Sequence, residues 1–284
     1  MNSDQGMIYS LAVRLTPTRT ATVRATLGHQ AHAAFLRTVR QADPALAEVL
    51  HTPQFQMRPF TVSPLLGVPR ASDGIVTVKP DEDYFLRFTV LYAPIFQQFM
   101  ARFLRGQRQP VLRLGRALFL VREILATPGS SPWANYTSFA QLYHQARAEN
   151  EIELKFTSPT VFSFGSKAGG RKTVPLPEPT LVFRSLMKRW NAFTLPELSL
   201  DKTLLEYVKE NVVVKRYQLK TRMQRFSRLQ QVGFVGSVTF KLMGRTNTGN
   251  PFRRQLNLLA DYAFYSGVGY KTTMGMGQCS RIVR

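Results

Sequence analysis

The period of the apolar pattern switches along this chain in one order, strand, helix, strands, helix, strand, and that order occurs twice. Tyr9, Leu11, Val13 and Leu15 alternate, which predicts a strand with one buried face. Ala31, Ala34, Phe35, Thr38, Val39 and Ala42 then recur at helical spacing. Asp43-Pro44 reads as an N-cap and first-turn proline opening a short helix through Leu46, Val49 and Leu50, which stops at His51-Thr52-Pro53. Strands are predicted at 55–62, 74–78 and 84–91, a helix from Pro94 through Phe96, Met100 and Leu104, and a strand at 117–125. Beyond the breaker cluster Thr127-Pro-Gly-Ser-Ser-Pro132 come a strand at 151–156, a helix at 181–193, strands at 212–219 and 232–243, a helix to Tyr265 and a last strand at 277–283. In 232–243 the buried face is predicted to hold Val232, Phe234, Val238, Phe240 and Leu242, with Ser237, Thr239 and Lys241 opposite.

This order is the split β-α-β arrangement, so the expected fold is α+β, two tandem ferredoxin-like (βαββαβ, RRM-like) domains at 1–128 and 133–284. No short-period repeat is present, so the duplication is one of structure. A chain of 284 residues that is 44% hydrophobic buries a sizeable core. Its 38 Lys+Arg against 17 Asp+Glu leave +21, a surface that repels itself unless its partner is a polyanion. The excess is uneven, +9 over 1–210 and +12 over 211–284, where Asp261 is the one acid. Arginine dominates the bases, and its planar fork grips phosphate bidentately. The single cysteine, Cys279, excludes an internal disulfide framework and a cysteine-based zinc site, and fits a reducing compartment. With no signal-like N-terminus and no run of 18 apolar residues, the expectation is a cytoplasmic protein without membrane contact.

The segment Gly267-Val-Gly269-Tyr-Lys271-Thr-Thr-Met-Gly275-Met-Gly277 follows the last helix. A dinucleotide fingerprint needs its glycines between a strand and a following helix, and a Walker A loop needs Gly-Lys-Ser/Thr, so neither applies. A loop whose bare N–H groups approach phosphates, with Lys271 beside them, competes with a helix C-cap and bulged strand start. Lys215, Arg216, Lys220, Arg222, Arg225 and Arg228 have no acid in 211–260 to neutralise them, and Tyr217 and Phe226 are interleaved. This reads as a groove for RNA phosphates and bases. Arg184 and Lys188 form a basic face opposite the stripe Val182, Phe183, Leu186, Met187, Trp190 and Phe193.

The stretch GVGYKTTMGMG, with LHTPQFQMRPFTVSPL at 50–65, TSPTVFSFG at 157–165 and PLPEPTLVFRSLMKRWNAF at 175–193, resembles the CRISPR-associated endoribonucleases (Cas-six type, RAMP superfamily) that process precursor crRNA. The resemblance spans nearly the whole chain. It implies tandem ferredoxin-like domains, a C-terminal glycine-rich loop that contacts RNA, and metal-free cleavage of repeat RNA leaving 5′-hydroxyl and 2′,3′-cyclic phosphate ends. It also implies CRISPR repeat RNA as partner and a CRISPR effector complex as a further one, with no cofactor and no metal, and leaves monomer or homodimer open. Such a cut needs a base for the 2′-OH, a proton for the leaving oxygen and cations for the phosphate. His51 matches the family's catalytic histidine, and Arg58 stands seven residues on, where members can carry a lysine. His29 and His32, three apart on one helix face, are its rivals as the catalytic imidazole, and no third ligand lies near them for a metal. Members can place a tyrosine on this first helix, but Phe35, Leu36 and Arg37 occupy that region here. His144 reads as a surface residue. The competing reading is a non-catalytic RAMP-fold subunit that binds crRNA in an effector complex.

Overall fold

A computed structural model describes residues 6–24, 26–51, 57–69, 74–104, 110–165, 171–226, 230–243 and 250–283. The chain divides into two compact units, residues 1–137 with 273–275, and residues 138–272 with 276–284.

The first unit runs β1 (Met7–Pro17), β2 (Ala21–Arg24), α1 (Gly28–Ala42), α2 (Pro44–His51), β3 (Phe60–Val62), β4 (Ile75–Val78), β5 (Tyr84–Val90), α3 (Ala93–Leu104), β6 (Val111–Leu114), β7 (Ala117–Leu125) and β8 (Asn135–Ser138). Its main sheet has the order β3-β5-β1-β7-β6, with β8 also on β1, and β2 pairs β4 in a separate ribbon. Leu11, Val13 and Leu15 of β1 meet Ala31, Ala34, Phe35 and Val39 of α1 in one apolar cluster, as their two periodicities require. The other face of β1 is buried too: Ile8, Ser10 and Ala12 are fully covered, against the one-faced strand expected from alternation. The cause is polar and aromatic. Ser10 Oγ donates to the Trp133 carbonyl, Arg87 Nε donates to Ser10 Oγ at 2.7 Å, and the Trp133 ring packs on Phe85. The segment around Trp133 therefore belongs to this unit, and the break between units falls at 137/138, past the proline-glycine stretch expected to separate 1–128 from 133–284.

The second unit runs α4 (Phe139–Gln145), β9 (Glu151–Thr160), β10 (Phe162–Phe164), β11 (Lys172–Val174), α5 (Pro179–Phe193), α6 (Thr203–Asn211), β12 (Val212–Arg225), β13 (Gln230–Leu242), α7 (Pro251–Ser266) and β14 (Cys279–Ile282). Its sheet order is β12-β13-β9-β14. Number the four strands of each βαββαβ unit in chain order, and both sheets read second, third, first, fourth, which is the ferredoxin-like topology twice over. Val182, Phe183, Leu186 and Trp190 of α5 and Leu256, Leu259, Ala260 and Ala263 of α7 are buried. Trp190 stands edge-on to Phe139 and Tyr262, and its Nε1 donates to the Leu198 carbonyl. Asn250 caps α7 through its side-chain oxygen, with Pro251 at the first helical position. Phe234, Val238, Phe240 and Leu242 of β13 are buried as expected, but Val232 is 39% exposed. Pairing of β13 with β9 ends at Phe234, so Val232 lies on a two-stranded ribbon of β12 and β13 that runs beyond the sheet.

Candidate active site and nucleic-acid interface

In the first unit Asp43 Oδ1 accepts from the Leu46 N–H at 2.9 Å, which sets the start of α2 and hence the placing of His51 as its last residue. The His51 side chain and residues 52–56 lie outside the described residues. The chain is described again from Met57, and Arg58 stands just before β3, half-buried. Its Nη1 is buried with no hydrogen-bond partner among the described residues. A guanidinium N–H withdrawn from water and left without an acceptor costs roughly 1–3 kcal/mol, a cost that an anion would remove.

His29 is exposed in the first turn of α1. His32, one turn on, is half-buried. Its Nδ1 lies 3.1 Å from the Thr273 carbonyl, and its ring stacks on Phe60 of β3 with centroids 5.5 Å apart. Donation to that carbonyl puts the proton of a neutral ring on Nδ1 and leaves Nε2 as the basic nitrogen. Residues 273–275 pack with the first unit. Gly28 permits this, because a Cβ there would sit 2.1 Å from the Met274 carbonyl oxygen. Gly28 carried no signal in the sequence, since its need arises from a segment 246 residues away. Among the described residues no group of three or more His, Cys, Asp or Glu is arranged to hold a metal ion.

The glycine-rich segment, whose residues outside 273–275 belong to the second unit, is a packed loop. Gly267, Gly269, Gly275 and Gly277 all have positive φ. The N–H groups of three are spent within the protein: Gly267 on the Ala263 carbonyl as the α7 cap, Gly269 on Ser185 Oγ, and Gly277 on the Pro159 carbonyl. This corrects the expectation of bare amides facing phosphate at those three positions. Glycine is required there because backbone meets backbone, a Cβ at Gly277 falling 2.1 Å from the Val268 oxygen. The loop's cation is Lys271, half-buried, whose Nζ lies 3.8 Å from the Phe226 ring centroid. Phe226 is consequently buried, not a free stacking platform for bases, whereas Tyr217 is 68% exposed.

The basic run occupies β12, the edge strand of its sheet, with Lys215, Arg216, Lys220, Arg222 and Arg225 all exposed. Arg228 lies outside the described residues. Local sequence suggested that nothing neutralises the run, but β9 supplies acids: Lys215 pairs with Glu151, and Arg216 Nη2 is 3.8 Å from Glu153. Lys215 holds the Glu151 carboxyl below its usual range. On α5, Arg184 and Lys188 are exposed, as expected, and Phe193 is half-buried. Arg189, directly after Lys188, was missed by periodicity. It is buried, donates Nη2 to Thr272 Oγ1, and leaves Nε and Nη1 without partners among the described residues. Burial lowers its pKa from the ordinary value.

Two sheets of one topology, with a packed glycine loop after the last helix and an arginine-rich edge strand, define a tandem ferredoxin-like protein. The model of the CRISPR Cas6 N-terminal domain matches residues 7–144, and that of CRISPR-associated endoribonuclease Cas6 matches 154–279. The chain belongs to the Cas6 family. Among curated proteins it is 26% identical over 137 residues to a CRISPR-associated endoribonuclease Cas6 of Streptococcus thermophilus. That match covers 48% of this chain and 53% of the relative, so it spans about half of each. Among solved structures, a Cas6 (TTHB231) product complex superposes with a TM-score of 0.80 at 26% identity, over 98% of this chain and 100% of that one. A Thermus thermophilus Cas6 (TTHB231) gives 0.73 at 24% identity over 98% and 99%, a likeness of fold.

Proposed function

We propose that this chain is a metal-independent endoribonuclease that cuts the repeat RNA of CRISPR precursors, releasing crRNA. In the proposed reaction the ribose 2′-oxygen attacks the adjacent phosphorus as its proton passes to a base. The bond from phosphorus to the 5′-oxygen breaks, and that oxygen takes a proton from an acid. The products are a 2′,3′-cyclic phosphate and a 5′-hydroxyl. His51 is the proton-transfer residue and Arg58 stabilises the charge that builds on the phosphate oxygens, with His29 and His32 as rivals to His51. The observation that carries the reading is the buried Nη1 of Arg58, which has no hydrogen-bond partner among the described residues, on the segment that follows His51. RNA is held by Lys271 on the glycine loop, by the β12 cations and by Arg184 and Lys188.

The test is incubation of the purified protein with the repeat RNA of its own genome in EDTA, followed by analysis of the product ends. Cleavage without metal is expected, together with an intact substrate when the nucleotide 5′ of the cut is 2′-deoxy. A requirement for Mg²⁺, or cutting of the deoxy substrate, would overturn the mechanism.

A further inference from the structure

Two cations are held beside one aromatic ring in the second unit without a carboxylate between them. Arg171, just before β11, donates Nη1 to Tyr270 Oη, and its Cζ lies 4.9 Å from the Tyr270 ring centroid. Lys271 Nζ lies 5.5 Å from the same centroid and 3.8 Å from that of Phe226. Neither cation makes an ion pair among the described residues. Lys271 is also the one non-glycine residue with positive φ, 56°, among the described residues. A side chain in that region costs roughly 1–2 kcal/mol, and residues held in such conformations cluster at sites where the strain serves binding or catalysis. Burial first, and Arg171 second, push the Lys271 ammonium below its ordinary pKa, so the pair is electrostatically unfavourable as it stands.

Like charges brought together, the lysine partly desolvated and neither with a counter-ion among the described residues, are stabilised by an anion that binds both. The surroundings suit one phosphodiester. Arg171 supplies a planar fork, Lys271 a point charge, and the Tyr270 and Phe226 faces hold both heads in place through cation–π contact. The amides of Gly267, Gly269 and Gly277 are spent on Ala263, Ser185 and Pro159, so at those positions phosphate is left to the cations. We infer that Arg171 and Lys271, clamped on Tyr270 and Phe226, form a binding site for a single backbone phosphate of the RNA. The inference deepens the proposed function and rests on it, since the anion is taken to be RNA. It adds Arg171 and Tyr270 to the binding surface, makes the buried Phe226 a support for Lys271, and joins the β11 end of the unit to the glycine loop.

The experiment measures affinity for repeat RNA carrying a 2′-deoxy nucleotide at the cut, across a salt series, for wild type, Arg171→Ala, Lys271→Ala and the double variant. Each single change is expected to weaken binding about fivefold or more and to reduce the slope of log K against log salt by ~0.7, the contribution of one single-strand phosphate. The double variant should show the same slope loss as each single and less than the product of their effects. Lys271→Gly removes the charge while relaxing the backbone, so it should bind RNA as weakly as Lys271→Ala yet melt no lower than wild type. Wild-type affinity and slope in both single variants would overturn the site while leaving RNA binding intact. A doubled slope loss with multiplicative effects would also overturn it, assigning the cations to two phosphates. Salt-independent or absent binding by the wild type would remove the proposed function itself.

Discussion

Replacing Gly277 by alanine tests whether the glycine loop is built to pack or to expose amides. Gly277 has φ 69°, a conformation that costs an alanine roughly 1–2 kcal/mol. The new Cβ would lie 2.1 Å from the Val268 oxygen and 2.9 Å from Thr272 Cγ2, so the backbone must part. Parting threatens the bonds from the Val268 N–H to the Gly277 carbonyl at 2.8 Å and from the Gly277 N–H to the Pro159 carbonyl at 3.0 Å. Each is worth about 1 kcal/mol net, which brings the expected loss to about 3–4 kcal/mol. For a chain of this size that is a fall in Tm of about 6–12 °C. Gly74→Ala is the control: φ is 75°, but nothing lies within 4 Å of the added Cβ, so only the backbone cost applies. Its Tm should fall by about 2–6 °C. Differential scanning calorimetry of the two variants without RNA reads the difference. Equal, small shifts would refute the packing argument. Weakened RNA binding by Gly277→Ala at unchanged Tm would return the loop to the amide-donor role.

Arg281, 5% exposed at its side chain, bonds to Asp261, Glu149 and Asn257, and its loss leaves Asp261 partly buried with only the longer-range attraction of Arg147. Burial already raises the Asp261 pKa, so its charged form disfavours folding above that pKa and the penalty vanishes as pH falls through it. Burial also pushes the Glu149 carboxyl up, but Arg147 and Arg281 outweigh it and hold the pKa low, so that contribution is present near neutrality and lost in acid. Both signs agree that Arg281→Met should cost about 2–3 kcal/mol at neutral pH and markedly less in acid, read by urea unfolding at several pH values. A pH-independent loss would contradict it. On β12, Lys220→Ala should lower the salt slope of RNA binding by ~0.7, and Lys215→Ala by less, because Glu151 already pairs with Lys215. Equal slopes would contradict that ranking.

The alternation of periods made both βαββαβ orders legible, and Asp43-Pro44 located α2 and therefore the end at which His51 stands. Short edge elements escaped: β2 and β6 have four residues each, and β10 and β11 three, too few to establish a period. Long-range register escaped as well. Glu151 and Glu153 reach Lys215 and Arg216 only because β9, β13 and β12 are neighbours, which no local window contains. Burial of both faces of β1 needed Trp133, more than a hundred residues away, and the occupied glycine amides needed Pro159 and Ser185. Glycine spacing announced a tight loop without saying whether its N–H groups face solvent or protein. Arg189 escaped because its burial depends on Thr272, which lies 83 residues further along the chain.

The central claim is that His51 moves the proton in RNA cleavage. Single-turnover cleavage of repeat RNA in EDTA, compared among wild type, His51→Ala, His29→Ala and His32→Ala, tests it most directly. The expected result is a fall of ~10²-fold or more for His51→Ala, with His29→Ala and His32→Ala within a few-fold of wild type. A wild-type rate in His51→Ala together with a collapse in His32→Ala would contradict the claim, moving the chemistry to the imidazole that stacks on Phe60.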